Sequence, residues 1–278
     1  MKTRKLGKLF EVSELGLGCM SMSQSYGEAD RNESERALHR ALDIGYTFLD
    51  TASLYGYGHN EKLLGEVLKD RRDEYILASK CGLFRDKATG KRTLDGRPEK
   101  IREICEDSLK NLQTDVIDLY YLHRKDPKVP IEESFGAMAD LVSEGKVRAV
   151  GLSEASSETI SRAHKVCPLT AVQSEYSLWT RIAEKKVLMT CRELGITFVP
   201  FSPLARGFLT GKVRDMSKLG EDDLRQSMPR FQGENLQRNA ALLDELEAMA
   251  RRKACTAPQL ALAWVLAKGD DIVAIPGT

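Results

Sequence analysis

From Leu15 onward, short apolar runs rich in β-branched and aromatic residues alternate with longer stretches in which Leu, Ala and Ile recur every three or four positions. Runs of the first kind suit strands covered on both faces, and stretches of the second kind suit helices with one apolar side. The pattern predicts eight strands, at residues 15–18, 47–50, 75–80, 117–123, 147–153, 170–174, 197–202 and 272–275. It predicts helices between them at 33–43, 61–68, 98–112, 131–143, 158–165 and 183–194, and two more, 236–252 and 258–268, ahead of the last strand. Gly45, Gly145 and Gly195 fall just past helix ends, where a left-handed residue closes the last turn, and Pro98 suits a first turn. Strand and helix in steady alternation are the signature of a parallel sheet with helical crossovers, here an α/β fold of the (β/α)8 TIM barrel type.

Two segments stand outside that alternation. Residues 3–6 and 9–12 flank Gly7-Lys8 and read as a small N-terminal β-hairpin placed to plug one barrel end. Residues 204–234, rich in Gly, polar and charged positions, read as a long functional loop over the strand ends.

Composition narrows the function. The 278 residues suit one barrel domain over 1–278, and 42% hydrophobic with 30% charged residues describes an ordinary globular protein. With 42 Lys+Arg against 41 Asp+Glu the net charge is +1, so nothing points to nucleic acid or an acidic membrane as partner. A small neutral or anionic molecule is the expected substrate. The basic start Met1-Lys2-Thr3-Arg4-Lys5 meets Leu6-Gly7-Lys8 where a signal peptide needs an apolar stretch, and the longest apolar run, 260–267, is far short of the ~20 residues of a membrane span. Six cysteines lie scattered with no CxxC pairing, which argues against a metal site and fits reduced thiols in the cytoplasm.

Asp50, Lys80 and His123 close the second, third and fourth predicted strands, and the carboxyl ends of barrel strands form the active-site rim. The loop Thr51-Ala52-Ser53-Leu54-Tyr55-Gly56 brings a phenol to the same place. Lys80 follows the apolar run Ile76-Leu77-Ala78 and needs an anionic partner if it stays charged on burial; Asp50 supplies one. A phenol of pKa about 10 is a poor acid near neutrality, and a neighbouring ammonium lowers that value, so Lys80 is expected to make Tyr55 a usable proton donor to a carbonyl oxygen. His123 could hydrogen-bond the same oxygen.

None of these side chains donates hydride, so the chemistry needs a cofactor, with a nicotinamide the usual source. Gly16-Leu17-Gly18 continues as Cys19-Met20-Ser21 and lacks the third glycine of the Rossmann fingerprint. The cofactor must then rest on strand-end groups. Candidates are Gly18, Cys19 and Met20, then Asp50, Ser153 and Gln173, and after the seventh strand Phe201, Ser202, Pro203, Leu204, Arg206 and Gly207. Phe201 is placed to stack on the nicotinamide, and Ser202 with the backbone of 204–207 to meet the pyrophosphate. Two competing readings use the same residues: a Schiff-base aldolase with Lys80 forming the imine, which Asp50 disfavours by keeping the amine protonated, and a nucleotide-sensing regulatory subunit.

The chain resembles the aldo-keto reductase superfamily from the hairpin to its last residue. The resemblance rests on Phe48-Leu49-Asp50-Thr51-Ala52 with Tyr55-Gly56, Ser79-Lys80, Tyr121-Leu122-His123, Gly145-Lys146-Val147-Arg148 leading to Gly151-Leu152-Ser153, Phe201-Ser202-Pro203-Leu204 and Ile275-Pro276-Gly277-Thr278. It implies a catalytic tetrad of Asp50, Tyr55, Lys80 and His123, NADPH as cofactor and a (β/α)8 barrel. Leu122-His123-Arg124-Lys125-Asp126-Pro127 and Arg206-Gly207-Phe208-Leu209-Thr210-Gly211 are similar to the bacterial, yeast and plant branch with broad aldehyde and ketone substrates. Phe201 stands where many members have Tyr, and Glu154 where many have Asn. In the family Pro276, Gly277 and Thr278 begin the adenosine-phosphate site, so the domain is expected to be C-terminally incomplete, with the final helix beyond Thr278; Arg206 is a second candidate phosphate partner. Substrate choice is expected to rest on Tyr26, Leu54, Phe84 and residues 204–234.

Overall fold

The computed structural model describes residues 1–85, 90–220 and 223–277. A hairpin of β1 (Thr3–Leu6) and β2 (Phe10–Ser13) comes first, with Thr3 opposite Ser13. At its turn Gly7 has φ +60°, and a Cβ there would sit 2.7 Å from Thr170 Cγ2, so the turn presses directly on the amino end of a barrel strand. The Gly7 N–H donates to Thr197 Oγ1 at 2.8 Å. Leu6, Phe10 and Val12 are buried in one cluster with Phe48, Leu119 and Val199 from inside the barrel, which makes the hairpin the plug that its sequence suggests.

Seven parallel strands follow: β3 (Leu17–Gly18), β4 (Phe48–Asp50), β5 (Ile76–Cys81), and then, past an antiparallel pair β6 (Leu83–Arg85) and β7 (Arg92–Leu94), β8 (Ile117–Leu122), β9 (Val147–Ser153), β10 (Leu169–Glu175) and β11 (Thr197–Phe201). The sheet order is β11-β10-β9-β8-β5-β4-β3. Residues 272–277 close the ring: parallel bridges join Ile272 to Phe198 and Ile275 to Phe201 on one side, and Ala274 to Leu15 and Gly277 to Gly18 on the other. The eighth expected strand is therefore present as a run of single bridges, and the first is shorter than expected because Leu15 pairs only with it. The β6–β7 hairpin is absent from the sequence expectation; its three-residue strands are too short to carry a hydrophobic period.

Helices α1 (Arg31–Asp43), α2 (His59–Val67), α3 (Pro98–Leu112), α4 (Ile131–Ser143), α5 (Ser157–Val166), α6 (Val187–Leu194), α7 (Gly233–Arg252) and α8 (Ala257–Leu266) surround the ring. Their ends follow the local chemistry. Asp30 caps α1 by accepting from the Glu33 N–H at 2.8 Å, and Thr256 with Gln259 forms a capping box on α8. The expected helix 183–194 is broken at Lys186, whose φ/ψ of −149°/−40° separates a tight turn, Ile182–Lys185, from α6. In α3 the spacing Ile101, Ile104, Cys105, Ser108, Leu109, Leu112 gives the buried face. That face packs with Leu77, Tyr120 and Leu122 in the outer core, where each fully buried Leu, Ile or Phe contributes about 1.5–3 kcal/mol. Strand alternation sends the other side chains inward, so Phe48, Ala78, Leu119 and Tyr121 fill the barrel and Asp50 and Lys80 lie on the same inner face at its carboxyl end. Among the described residues no helix is long and apolar enough to cross a membrane.

Candidate active site

The register pairs Asp50 with Ala78 and Lys80 with Tyr121, which staggers an acid and an amine on adjacent strands, facing in. Lys80 is completely buried. Its Nζ donates to Asp50 Oδ1, to the Thr51 carbonyl at 2.7 Å and, at 3.4 Å, to the Tyr55 hydroxyl. The second Asp50 oxygen accepts from Gln173 Nε2 at 2.7 Å, so one carboxylate ties β4 to β5 and β10.

Tyr55 arrives on a short turn, Tyr55–Gly58, whose start is fixed by its own N–H donating to the Ala52 carbonyl at 3.0 Å. Gly56 has φ +56°, and a Cβ there would lie 3.0 Å from Ser23 Cβ and 3.1 Å from His59 Cβ; both the backbone and the space favour glycine. Beneath, Thr51 Oγ1 donates to Asn60 Oδ1 at 2.6 Å, and Asn60 Nδ2 donates to the Cys19 carbonyl at 2.8 Å. His123 follows β8, its N–H donating to the Cys81 carbonyl at 2.8 Å, and its ring meets the Tyr55 ring edge-on with centroids 5.9 Å apart.

Burial dominates the electrostatics. It raises the Asp50 carboxyl in spite of Lys80 and Gln173. It presses the Lys80 ammonium down, but Asp50 and Tyr55 outweigh it and hold lysine above its ordinary value. For Tyr55 the sequence expectation is overturned in sign: burial raises the phenol, and the nearby Lys80 charge offsets that rise only in part. Proximity to the cation was legible in the strand pattern, whereas the depth of the hydroxyl was not. His123 is held well below 6.5, by burial first and then by the positive charges of Lys80, Arg124 and Arg92, so its imidazole is neutral near pH 7.

Above this floor opens a cleft of about 380 Å3, within the range of small-molecule sites. Asp50, Tyr55 and His123 line one wall, and Gly18 and Met20 its edge. Ser153, Gln173 and Phe201, with Ser202, Pro203, Leu204, Arg206 and Gly207, line the other, and Pro276 and Gly277 enter from the closing strand. Thr278 lies outside the described residues. Cys19 does not reach the cleft: at the start of the tight turn Met20–Met22 its side chain points back, with the thiol on the Leu17 carbonyl at 3.6 Å, and is wholly buried in the outer core. Tyr26 and Leu54 face the cleft as expected, whereas Phe84 does not; Leu83 does, and Lys100 Nζ lies 5.1 Å from the Phe84 ring centroid.

The turn after β11 runs through left-handed residues, with φ 49° at Ser202, 50° at Ala205, 58° at Arg206 and 87° at Gly207. Arg206 is anchored there by Glu175 at 3.0 Å and by the Tyr26 hydroxyl at 3.4 Å. Glu175 also accepts from Arg230 at 2.6 Å. The neighbouring Arg225 is paired with Asp223 at 2.6 Å, and the Leu224 N–H donates to the Ser25 carbonyl at 2.9 Å across the cleft mouth. Sequence reasoning missed Arg92 and Arg124 on the cleft wall, whereas Arg225 falls within the 204–234 stretch expected to shape substrate choice. Arg124 was findable as the next residue after a strand-end histidine; Arg92 sits on the unforeseen hairpin and gave no signal.

An acid, an amine, a phenol and an imidazole gathered at the carboxyl ends of neighbouring strands of a plugged barrel agree with what comparison with known proteins finds. The sequence pattern of the "Aldo/keto reductase family" matches residues 14–278. The probable aldo-keto reductase 1 of Glycine max is 45% identical over 271 residues, which is 97% of this chain and 78% of that protein. Among solved structures, a glycerol dehydrogenase from Gluconobacter oxydans superposes with a TM-score of 0.90 at 33% identity, covering 99% of this chain and 86% of the other. An aldo/keto reductase from Klebsiella pneumoniae in complex with NADP and acetate does so with a TM-score of 0.76 at 28% identity, covering 100% and 85%. Matched in sequence over nearly its whole length and in fold from hairpin plug to closing strand, the chain belongs to the aldo/keto reductase family.

Proposed function

We propose that the protein reduces aldehydes and ketones to alcohols with NADPH, and that Tyr55 delivers the proton. The observation that carries this reading is the Tyr55 hydroxyl 3.4 Å from a fully buried ammonium, beside His123 at the floor of the cleft. A carbonyl oxygen held between Tyr55 and His123 gathers negative charge as its carbon is reduced. Because burial raises the phenol, Tyr55 is fully protonated at neutral pH and keeps its proton until that charge develops. As the proton leaves, Lys80 stabilises the phenolate, and Asp50 keeps Lys80 charged throughout. Neutral His123 orients the carbonyl and stabilises the growing charge with one hydrogen bond.

A nicotinamide cofactor fits the opposite wall. The Phe201 ring offers a stacking face, Ser153 and Gln173 offer polar groups to a carboxamide, and the left-handed turn at 202–207 offers the kind of backbone concavity that binds phosphate. When bound, the reduced nicotinamide supplies the hydride. The choice of NADPH over NADH is supported by the Klebsiella pneumoniae relative in complex with NADP.

The test is steady-state NADPH oxidation, followed by absorbance, with a panel of small aldehydes. Many turnovers per enzyme are expected, with a higher kcat/KM for NADPH than for NADH. Tyr55→Phe should lower kcat by about two to four decades while fluorescence-detected NADPH binding persists. Full activity in Tyr55→Phe removes the phenol from the chemistry, and a single stalled cycle in the wild type points instead to a nucleotide sensor.

A further inference from the structure

Among the described residues four guanidiniums line the cleft, from Arg92, Arg124, Arg206 and Arg225, against a single carboxylate, Asp50. Three of the charges on this surface are already matched: Asp50 by Lys80, Arg206 by Glu175 and Arg225 by Asp223. Arg92 and Arg124 are different. Among the described residues no carboxylate comes within 4.0 Å of either guanidinium.

Arg124 is half-buried and directly follows His123. Its Nη1 donates to the His123 carbonyl at 2.6 Å and to Ser153 Oγ at 2.9 Å, which fixes the plane of the guanidinium at the cleft wall. Both bonds use the same nitrogen, so its other N–H groups have no protein acceptor among the described residues. The carboxylate that acts on it most strongly is Glu154, one Oε of which already accepts from the Glu175 N–H at 2.9 Å. Burial lowers the Arg124 guanidinium, the sign of a desolvated cation without full compensation. Arg92 is exposed on β7 and adds its charge to the same corner, where both arginines depress His123. A partly buried, pre-oriented guanidinium beside a second one is the arrangement that binds an oxyanion through paired N–H donors.

We infer that the substrate is an aldehyde or ketone carrying an oxyanionic group, carboxylate or phosphate, a few bonds from the carbonyl, and that Arg124 and Arg92 hold that group while the carbonyl oxygen sits between Tyr55 and His123. This rests on the reductase reading above and narrows its substrate class.

The test compares kcat/KM for 4-carboxybenzaldehyde with that for its methyl ester, methyl 4-formylbenzoate, which keeps the ring and aldehyde and removes the charge. D-Glyceraldehyde 3-phosphate against D-glyceraldehyde forms the phosphate arm and tells which oxyanion is favoured. The charged member of at least one pair is expected to be preferred by about tenfold to a hundredfold, the value of a charge-assisted hydrogen bond. In the benzaldehyde pair the ester is the more electrophilic aldehyde, so intrinsic reactivity works against that result. The preference should collapse towards one in Arg124→Met and shrink in Arg92→Met, with the loss in KM rather than kcat, and should weaken in ~0.5 M salt. Equal efficiency within both pairs, or an undiminished preference in both variants, overturns the inference. If none of the four aldehydes is reduced, the reductase reading itself fails, and the inference with it.

Discussion

One wall of the cleft hangs from strands, and the other rests on an apolar cluster and is tied down by charges. Asp50 and Lys80 are held by the parallel ladder, buried and joined by an ion pair, and buried His123 directly follows β8 with its backbone N–H on the Cys81 carbonyl. Beyond Phe201 the facing wall is a segment, residues 202–220 and 223–231, that contributes no strand among the described residues; it is seated on an apolar cluster through Ala205, Phe208, Leu209, Val213 and Phe231 and tied down by Arg206 and Arg230 on Glu175 and by one backbone bond to Ser25. The first wall gains its geometry from the same interactions that hold the barrel together, so damage to it should cost both fold and chemistry. Damage to the second should cost ligand retention and leave the barrel standing.

The sharpest way to break the comparison is Lys80→Met. Removing one partner of a buried pair costs about 3–5 kcal/mol, less whatever Asp50 regains by taking up a proton. A drop in melting temperature of many degrees is expected alongside a loss of turnover of at least two decades. Adding Asp50→Asn, which keeps an acceptor for Gln173, should recover most of the melting temperature and none of the turnover; recovery of both would show that the pair serves only the fold. A smaller effect is expected on the other wall. Glu175→Gln releases Arg206 and Arg230 and should weaken NADPH binding about tenfold, roughly the value of one partly buried pair, with kcat at saturating cofactor within about threefold of wild type. A melting temperature that falls as far as in Lys80→Met would erase the distinction between the walls.

The smallest effect is in the pH dependence of stability. His123 is depressed below 6.5 in the fold, so the unfolded chain takes up a proton first as pH falls. Stability attributable to this group is complete above 6.5 and declines below it, towards the folded value. Glu175 is also held low, since Arg230 and Arg206 outweigh the upward push of burial, and its contribution is lost only as pH falls below 4.5. Melting curves between about pH 3 and 8 should therefore show a first slope that His123→Gln removes and a later one that Glu175→Gln removes. A single common slope would contradict the assignment.

The same contrast explains what the sequence reveals. Asp50, Lys80 and His123 were readable because a strand fixes which side chains face inward and where its carboxyl end lies. Cys19 lies one residue past the end of β3, where that rule no longer applies, and it faces the outer core although both of its neighbours line the cleft. The second wall resisted. Ser202, Ala205 and Arg206 adopt left-handed backbone without being glycine, and Arg206 and Arg230 find Glu175 across 31 and 55 residues of chain. No local pattern announces either. The short β6–β7 pair that carries Arg92 gives no period to read.

Asp50 offers one oxygen to Lys80 and the other to Gln173. A carboxylate can only accept, so the end of the Gln173 amide that turns to β4 is its nitrogen, and one of that nitrogen's two N–H groups is committed there. An otherwise ambidextrous side chain is thus given a polarity by a partner 123 residues away, and a change in charge at the lysine's counterion is felt on β10 without any movement of the lysine itself.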